Sequence, residues 1–318
     1  RDAVSGNAVD EAGRGRAIRR GLIAVVGALV AIVPPACGDP AARGASSAVD
    51  FADGVTLPFG LKQVAGTRPI GRPAVFDEVP LAYNGNPITT RSLRAAYRVV
   101  GDDPVAVFRS WAKQLEVLHV GSVHMRGGDG PGDRQPWLQL DGGGFSGGGP
   151  PIGDWVDLQL WATDGAPVLL VTVQRYSDDG PATNVDDRLA APRRPNAVVD
   201  NSERSSGDVL FEEQGQEVHV PSGSRPLMGT VPIFGGTGGS YSVLSSDDGR
   251  AAVKALVDDA VAGNANGQVT GPTSSTLDGV RVTHASFVID AGGWSFDAVA
   301  VQADGDPWAT VYVTSAAD

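Results

Sequence analysis

Cysteine occurs once in this chain and methionine twice, among 318 residues. A single cysteine closes no internal disulfide, so packing has to supply the stability. Positive charge is short as well: 25 Lys and Arg stand against 37 Asp and Glu, a formal net charge of −12. A surface of that sign repels phosphate backbones and anionic headgroups, which sets aside nucleic-acid binding and direct docking on a charged bilayer. The histidines are His119, His124, His219 and His284, in no spacing that matches a zinc site. Abundant instead are glycine, 43 residues, and proline, 22, a composition of short strands and loops rather than of a helical bundle. With 42% hydrophobic and 19% charged positions the chain reads as globular and able to bury sizeable cores.

The longest apolar run lies near the start. Arg14, Arg16, Arg19 and Arg20 precede GLIAVVGALVAIV at residues 21–33, and PPAC follows at 34–37. As a helix the run spans about 20 Å, short of the ~30 Å hydrocarbon core, so it fits the apolar part of an export signal better than a permanent span. Arg19 and Arg20 admit either general or twin-arginine export. A cysteine directly after a small residue, here Ala36, at the end of such a run resembles the lipobox of bacterial lipoproteins, with Pro34 where that pattern usually has Leu. The resemblance covers residues 14–38 alone. It implies a signal peptide over 1–36, a lipid on Cys37, and an extracytoplasmic protein whose partner is the bacterial cell membrane through that anchor. Residues 37–54 are small and polar and read as a tether with a reach of roughly 20 to 25 Å.

The rest of the chain is written twice. GTRPI at 66–70 is echoed by GSRPL at 223–227, YRVV at 97–100 by YSVL at 241–244, and LQLD at 138–141 by FVID at 287–290. Each copy closes on a hairpin, residues 153–173 and 292–313, whose turns Asp164-Gly165 and Asp304-Gly305 suit type I′ geometry. After the acidic pairs Asp102-Asp103 and Asp247-Asp248 a helix is expected, with Asp as N-cap. Val105, Phe108, Trp111, Ala112 and Leu115 stripe the first helix, and Val253, Leu256, Val257 and Ala260 the second. The fold class that follows is α+β: two tandem related β-α-β-β-β domains, residues 55–176 and 209–318, each a mostly antiparallel sheet with one helix packed on it. Residues 177–208, without period, make the linker.

Diagnostic chemistry is sparse. Gly144, Phe145 and Ser146 fall in a glycine-rich stretch that satisfies G-x-S-x-G, but GPP follows at 149–151 where that motif needs a helix. These three residues are expected to form a flexible binding lip rather than a nucleophile elbow. No metal and no cofactor is called for; the acidic pairs lack the calcium-loop spacing. Asp157 and Asp297 occupy matching hairpin positions and are expected to face solvent or the cross-strand neighbours Thr172 and Tyr312.

Strand alternation assigns Val156, Leu158, Leu160, Leu169, Val171 and Val173 to the face that the helix covers. The opposite faces are also apolar: Trp161, Val168 and Leu170 in the first copy, Val301, Trp308 and Tyr312 in the second, with Val301 set against Trp308. Those faces are expected to pack on each other, on the linker or on a partner, which makes them the candidate interaction surface. The functional expectation is a non-catalytic envelope lipoprotein that binds a protein or a small ligand, with an envelope hydrolase as the alternative.

Overall fold

A computed structural model describes residues 57–83, 86–118, 124–127, 136–144, 152–161, 166–175, 205–213, 216–232, 239–262, 267–277, 279–289 and 294–317. Cys37, the signal, the tether and most of the linker lie outside them, as do His119, Phe145, Ser146 and the Asp164-Gly165 turn.

The first half resolves into β1 (Thr67–Pro69), β2 (Ala74–Tyr83), β3 (Asn86–Val99), α1 (Pro104–Leu118), β4 (His124–Gly127), β5 (Leu138–Gly144), β6 (Ile152–Trp161) and β7 (Val168–Arg175). These strands form a seven-stranded sheet in the order β1-β3-β7-β6-β5-β4, with β2 also on β3, and all its pairs are antiparallel. A small hairpin follows, β8 (Val209–Glu213) with β9 (Gln216–His219). The second half holds β10 (Ser224–Pro226), β11 (Val231–Pro232), β12 (Gly239–Ser246), α2 (Gly249–Val261), β13 (Gly267–Leu277), β14 (Val280–Ile289), β15 (Trp294–Ala303) and β16 (Ala309–Ala317). Its seven-stranded sheet runs β10-β12-β16-β15-β14-β13, with β11 on β12. The protein is α+β and rich in antiparallel sheet, with one helix after the third strand of each sheet.

Both helices start where an aspartate satisfies the orphan amides of a first turn. Asp103 Oδ1 accepts from the Ala106 N–H at 3.0 Å, and Asp248 Oδ1 accepts from the N–H groups of Arg250 and Ala251, each at 3.0 Å. The buried stripe of α1 is Val107, Phe108, Trp111, Ala112 and Leu115; Val105 lies only half-buried, and Val107 takes its place. In α2 the expected Val253, Leu256, Val257 and Ala260 are all buried.

Three apolar clusters set the layers. The first lies between α1 and its sheet, where Phe108, Trp111 and Leu115 meet Val156, Leu158, Leu160, Leu169, Val171 and Val173, the face that alternation assigned to the helix. The third lies between α2 and the second sheet. There the sheet face is thin, with Ala298 and Ala300, and two devices fill it. The β8–β9 hairpin adds Leu210, Phe211 and Val218. Gly249 brings the start of α2 so close that a Cβ on it would lie 2.8 Å from the side chains of both Ala300 and Ala309.

The middle cluster joins the sheets to each other. Ile70, Phe76, Trp161, Val168 and Leu170 of the first pack with Leu227, Tyr241, Val299, Val301, Trp308 and Tyr312 of the second. The order is therefore helix, sheet, sheet, helix, within one compact unit spanning Ala48–Asp318. Each indole in the middle layer withdraws roughly 150 to 250 Å² from water. At ~25 cal/mol per Å² that is about 4 to 6 kcal/mol, an upper bound against a compact unfolded chain.

Two expectations are corrected in detail. The first hairpin has the expected register, Trp161 opposite Val168 and Leu158 opposite Val171. The second is offset by two residues: Val301 pairs with Thr310 and Val299 with Tyr312. Its connector is longer than a type I′ turn because Asp304 keeps negative φ; the positive φ belongs to Gly305 alone, and the Asp306 N–H closes on the Ala303 carbonyl, as in a type II turn. An even offset leaves each side chain on its assigned face. The tyrosine landmark fails for the opposite reason. Tyr97 pairs with Pro69 and points to α1, whereas the residue opposite Pro226 is Leu244, and Tyr241 lies in the middle layer.

Candidate functional site

The middle layer holds buried charge as well as apolar side chains. One cross-strand row of the first sheet reads Asp141, Asp157, Thr172, Arg94 over β5, β6, β7 and β3. A row of the second reads Ser286, Asp297, Thr314, Tyr241 over β14, β15, β16 and β12. Because Asp157 shares its strand face with Trp161, and Asp297 shares its own with Val299 and Val301, both carboxylates enter the space between the sheets. The expectation that they face solvent is thereby corrected; Asp157 does lie opposite Thr172, while Asp297 lies opposite Thr314 rather than Tyr312.

Asp297 is held by two partners. Arg94 reaches from the first sheet to place Nη1 2.5 Å from Oδ2, and His284 Nε2 meets Oδ1. Arg94 Nη1 also donates to Thr314 Oγ1 at 3.0 Å, and its guanidinium lies 5.0 Å above the Phe76 ring, itself 5.2 Å from the His284 ring. Burial alone pushes the Asp297 carboxyl up, but Arg94 and His284 together more than reverse this and leave it below the usual carboxylate range.

Asp157 is bonded by neutral groups. Gln139 Nε2 donates to Oδ1 at 3.0 Å and Gln159 Nε2 to Oδ2 at 2.7 Å, while Trp161 Nε1 donates to Gln159 Oε1 at 2.9 Å. Burial is the largest effect, the two amides oppose it, and Asp141 across the strand adds to it; the carboxyl is pushed up to about 6. It therefore exchanges a proton near neutral pH, as a general acid or base must. Its bonding is to side chains of its own sheet.

A further ion pair fixes the far end of the layer. Arg72, in the connector between β1 and β2, grips Asp306 of the β15–β16 connector in a bidentate pair, Nε to Oδ2 at 2.7 Å and Nη2 to Oδ1 at 2.8 Å, both side chains buried. The Arg72 N–H donates to Thr310 Oγ1 at 2.8 Å, and the Tyr312 hydroxyl donates to the Arg72 carbonyl at 2.9 Å. Gly71 must be glycine for this approach: its φ is +78°, and a Cβ would fall 2.5 Å from Thr310 Cγ2.

A cavity of about 270 Å³ opens at the start of α2, bounded by Asp247, Asp248, Arg250, Arg281 and Gln302. Asp248 already accepts from the first free amides there, so the helix end is capped by its own chain. Among the described residues no group of three His, Cys, Asp or Glu is arranged to hold a metal ion.

The six residues of the candidate interaction surface come together, but as interior. Trp161, Val168, Leu170, Val301, Trp308 and Tyr312 are each less than 5% exposed and face the opposing sheet. Of the three outcomes expected for these faces, packing on each other is the one found: each sheet covers the other, so the contact they make is internal to the chain. Of the candidate lip, Gly144 ends β5 opposite Ile152, beyond a register break at Gly142, while Phe145 and Ser146 lie outside the described residues. His219 lies on β9 with Nδ1 3.2 Å from Asp259 Oδ2.

Sequence reasoning did not find Arg94 or the pairing of His284 with Asp297. The available signal was their odd polarity: an arginine in the apolar run SLRAAY and an aspartate and a histidine at inward strand positions need buried partners. No protein-family model matches the sequence, and no curated protein is similar to it. The reading of function therefore rests on the geometry.

Proposed function

We propose that this chain is an exported lipoprotein of the bacterial cell envelope, acylated at Cys37, whose body is a tandem duplication of one α+β unit, with more strands around its helix than the expected β-α-β-β-β, and acts by binding an envelope protein or a small ligand rather than by catalysis. The duplication is supported by the common strand order of the two sheets and by Asp157 and Asp297, which enter the middle layer from corresponding strands. The lipid anchor is supported by the basic, apolar, cysteine-terminated start of the chain, which tethers the body to the membrane as its first partner. Nucleic acid is disfavoured by the charge of −12.

The observation that carries the non-catalytic reading is that the buried carboxylates Asp157, Asp297 and Asp306 are each engaged by side chains of the fold itself. Asp297 is taken by Arg94 and His284, Arg72 by Asp306, and Asp157 by two glutamines. Charges so arranged join layers and fix register, the best-attested use of buried polar groups. A fatty-acid analogue supplied to cells is expected to label the wild-type chain and to send it into the detergent phase. Cys37→Ser is expected to lose both properties; an unlabelled, freely soluble wild-type chain would sink the anchor.

A further inference from the structure

The outermost strands of the two sheets are protected very differently. In the first sheet β4 spans only four residues and carries Arg126, two devices that keep an edge from pairing. Its counterpart β13 spans 11 residues, GQVTGPTSSTL, with no charged residue at all. Among the described residues no strand pairs with its outer side, which ends the sheet. The side chains of Thr273, Ser274, Ser275 and Thr276 are all exposed, so on both of its faces this stretch projects beyond the cover of α2 and of the opposing sheet.

The strand is divided in two. Between Thr270 and Thr273 the register on β14 breaks at a bulge, where Gly271 has φ +92° and a Cβ would fall 2.6 Å from the His284 carbonyl oxygen. Pro272 contributes no N–H there. The bulge bends the first part of the edge away and leaves residues 273–277 as a regular strand of about 17 Å. Its centre is self-complementary. With a two-fold axis through the midpoint of two facing Ser275 residues, antiparallel pairing sets Ser275 opposite Ser275 and Ser274 opposite Thr276 of the other copy, the Thr and Ser cross-strand pairs that stabilise sheets.

We infer that residues 273–277 of β13 form a self-association edge, through which a second copy of this chain pairs antiparallel and joins the two second sheets into one. The absence of charge on this edge makes it the place where two copies can meet. Two chains of −12 repel over most of their surfaces, and a stretch free of charge lets the backbones approach without setting like charges opposite each other. The inference does not depend on the lipid anchor. A contact built on so few residues is small, so the dimer is weak and reversible.

The test uses the full chain carrying Cys37→Ser, so that no acyl group drives association. Sedimentation equilibrium should give a concentration-dependent dimer. Ser275→Lys, which sets a lysine beside its symmetry mate, should weaken it at least ten-fold with circular dichroism and melting unchanged, and Ser275→Thr should leave it intact. Hydrogen exchange on the unmodified sequence gives a second reading, in which the amides of residues 273–277 gain protection as concentration rises. A chain that stays monomeric into the millimolar range, or edge amides that stay unprotected at every concentration, would overturn the inference and point to a foreign strand as occupant. A dimer indifferent to Ser275→Lys would also overturn it.

Discussion

Asp157 and Asp297 stand on corresponding strands of two sheets with the same order, both buried in the same layer, and their pKa values are displaced in opposite directions. The first is pushed up to about 6 by burial among amides. The second is held below its ordinary value because an arginine and a histidine outweigh its burial. Position in the fold is thus not what sets the charge state of a buried carboxyl. Burial is common to both, and the deciding difference is that the second sheet offers His284 while the first lends Arg94 across the interface. One aspartate joins the sheets and the other adjusts its own sheet.

The sharpest way to break the comparison is Asp297→Ala. It leaves Arg94 buried without its counter-charge and should cost about 3 to 5 kcal/mol in urea unfolding at pH 7. A loss below about 1 kcal/mol would mean that Arg94 reaches water and the pair behaves as a surface one. Asp157→Asn should act the other way. With its folded pKa raised to about 6, Asp157 contributes stability as a neutral acid, in full below its unfolded value near 4 and lost as pH rises through 6. The asparagine variant should therefore be more stable than the parent at pH 8 by about 1 to 3 kcal/mol and gain little at pH 4. Asp297 has the reverse sign: its lowered pKa contributes stability above the unfolded value, lost as pH falls towards the folded one. Equal pH profiles for parent and Asp157→Asn would dissolve the contrast. The smallest effect separates the helix caps. Asp248→Ala should cost about 1 kcal/mol and Asp103→Ala a few tenths less, since Asp248 holds two amides and Asp103 one in thermal melts of each variant.

Strand periodicity and acidic caps were legible in the sequence because both are local. Alternation along 156–160 and 169–173 named the helix-facing side chains, and Asp-Asp before an apolar stripe named both helix starts. The joining of the two apolar faces was one of several outcomes that the composition allowed, since Trp161 and Trp308 would suit any dry surface equally well. Arg94 with Asp297, and Arg72 with Asp306, were illegible for a plainer reason. Each pair joins residues more than two hundred positions apart, and no spacing rule reaches that far. Register in the second hairpin depended on one φ angle, that of Asp304, which a two-residue Asp-Gly motif does not determine.

The place of the last strand in each sheet has a consequence for the order of events as the chain is made. β7 lies between β3 and β6, and β16 lies between β12 and β15, so each sheet consists of two unconnected ribbons until its final strand arrives. The chain emerging from the ribosome therefore carries its first sheet complete, but with Trp161 and Leu170 uncovered, through the whole synthesis of the second. A chain that ends before β16 does not lose one edge. It leaves the second sheet in two pieces and the first with a bare apolar face, so the C-terminal stretch acts as the closing piece of the whole body.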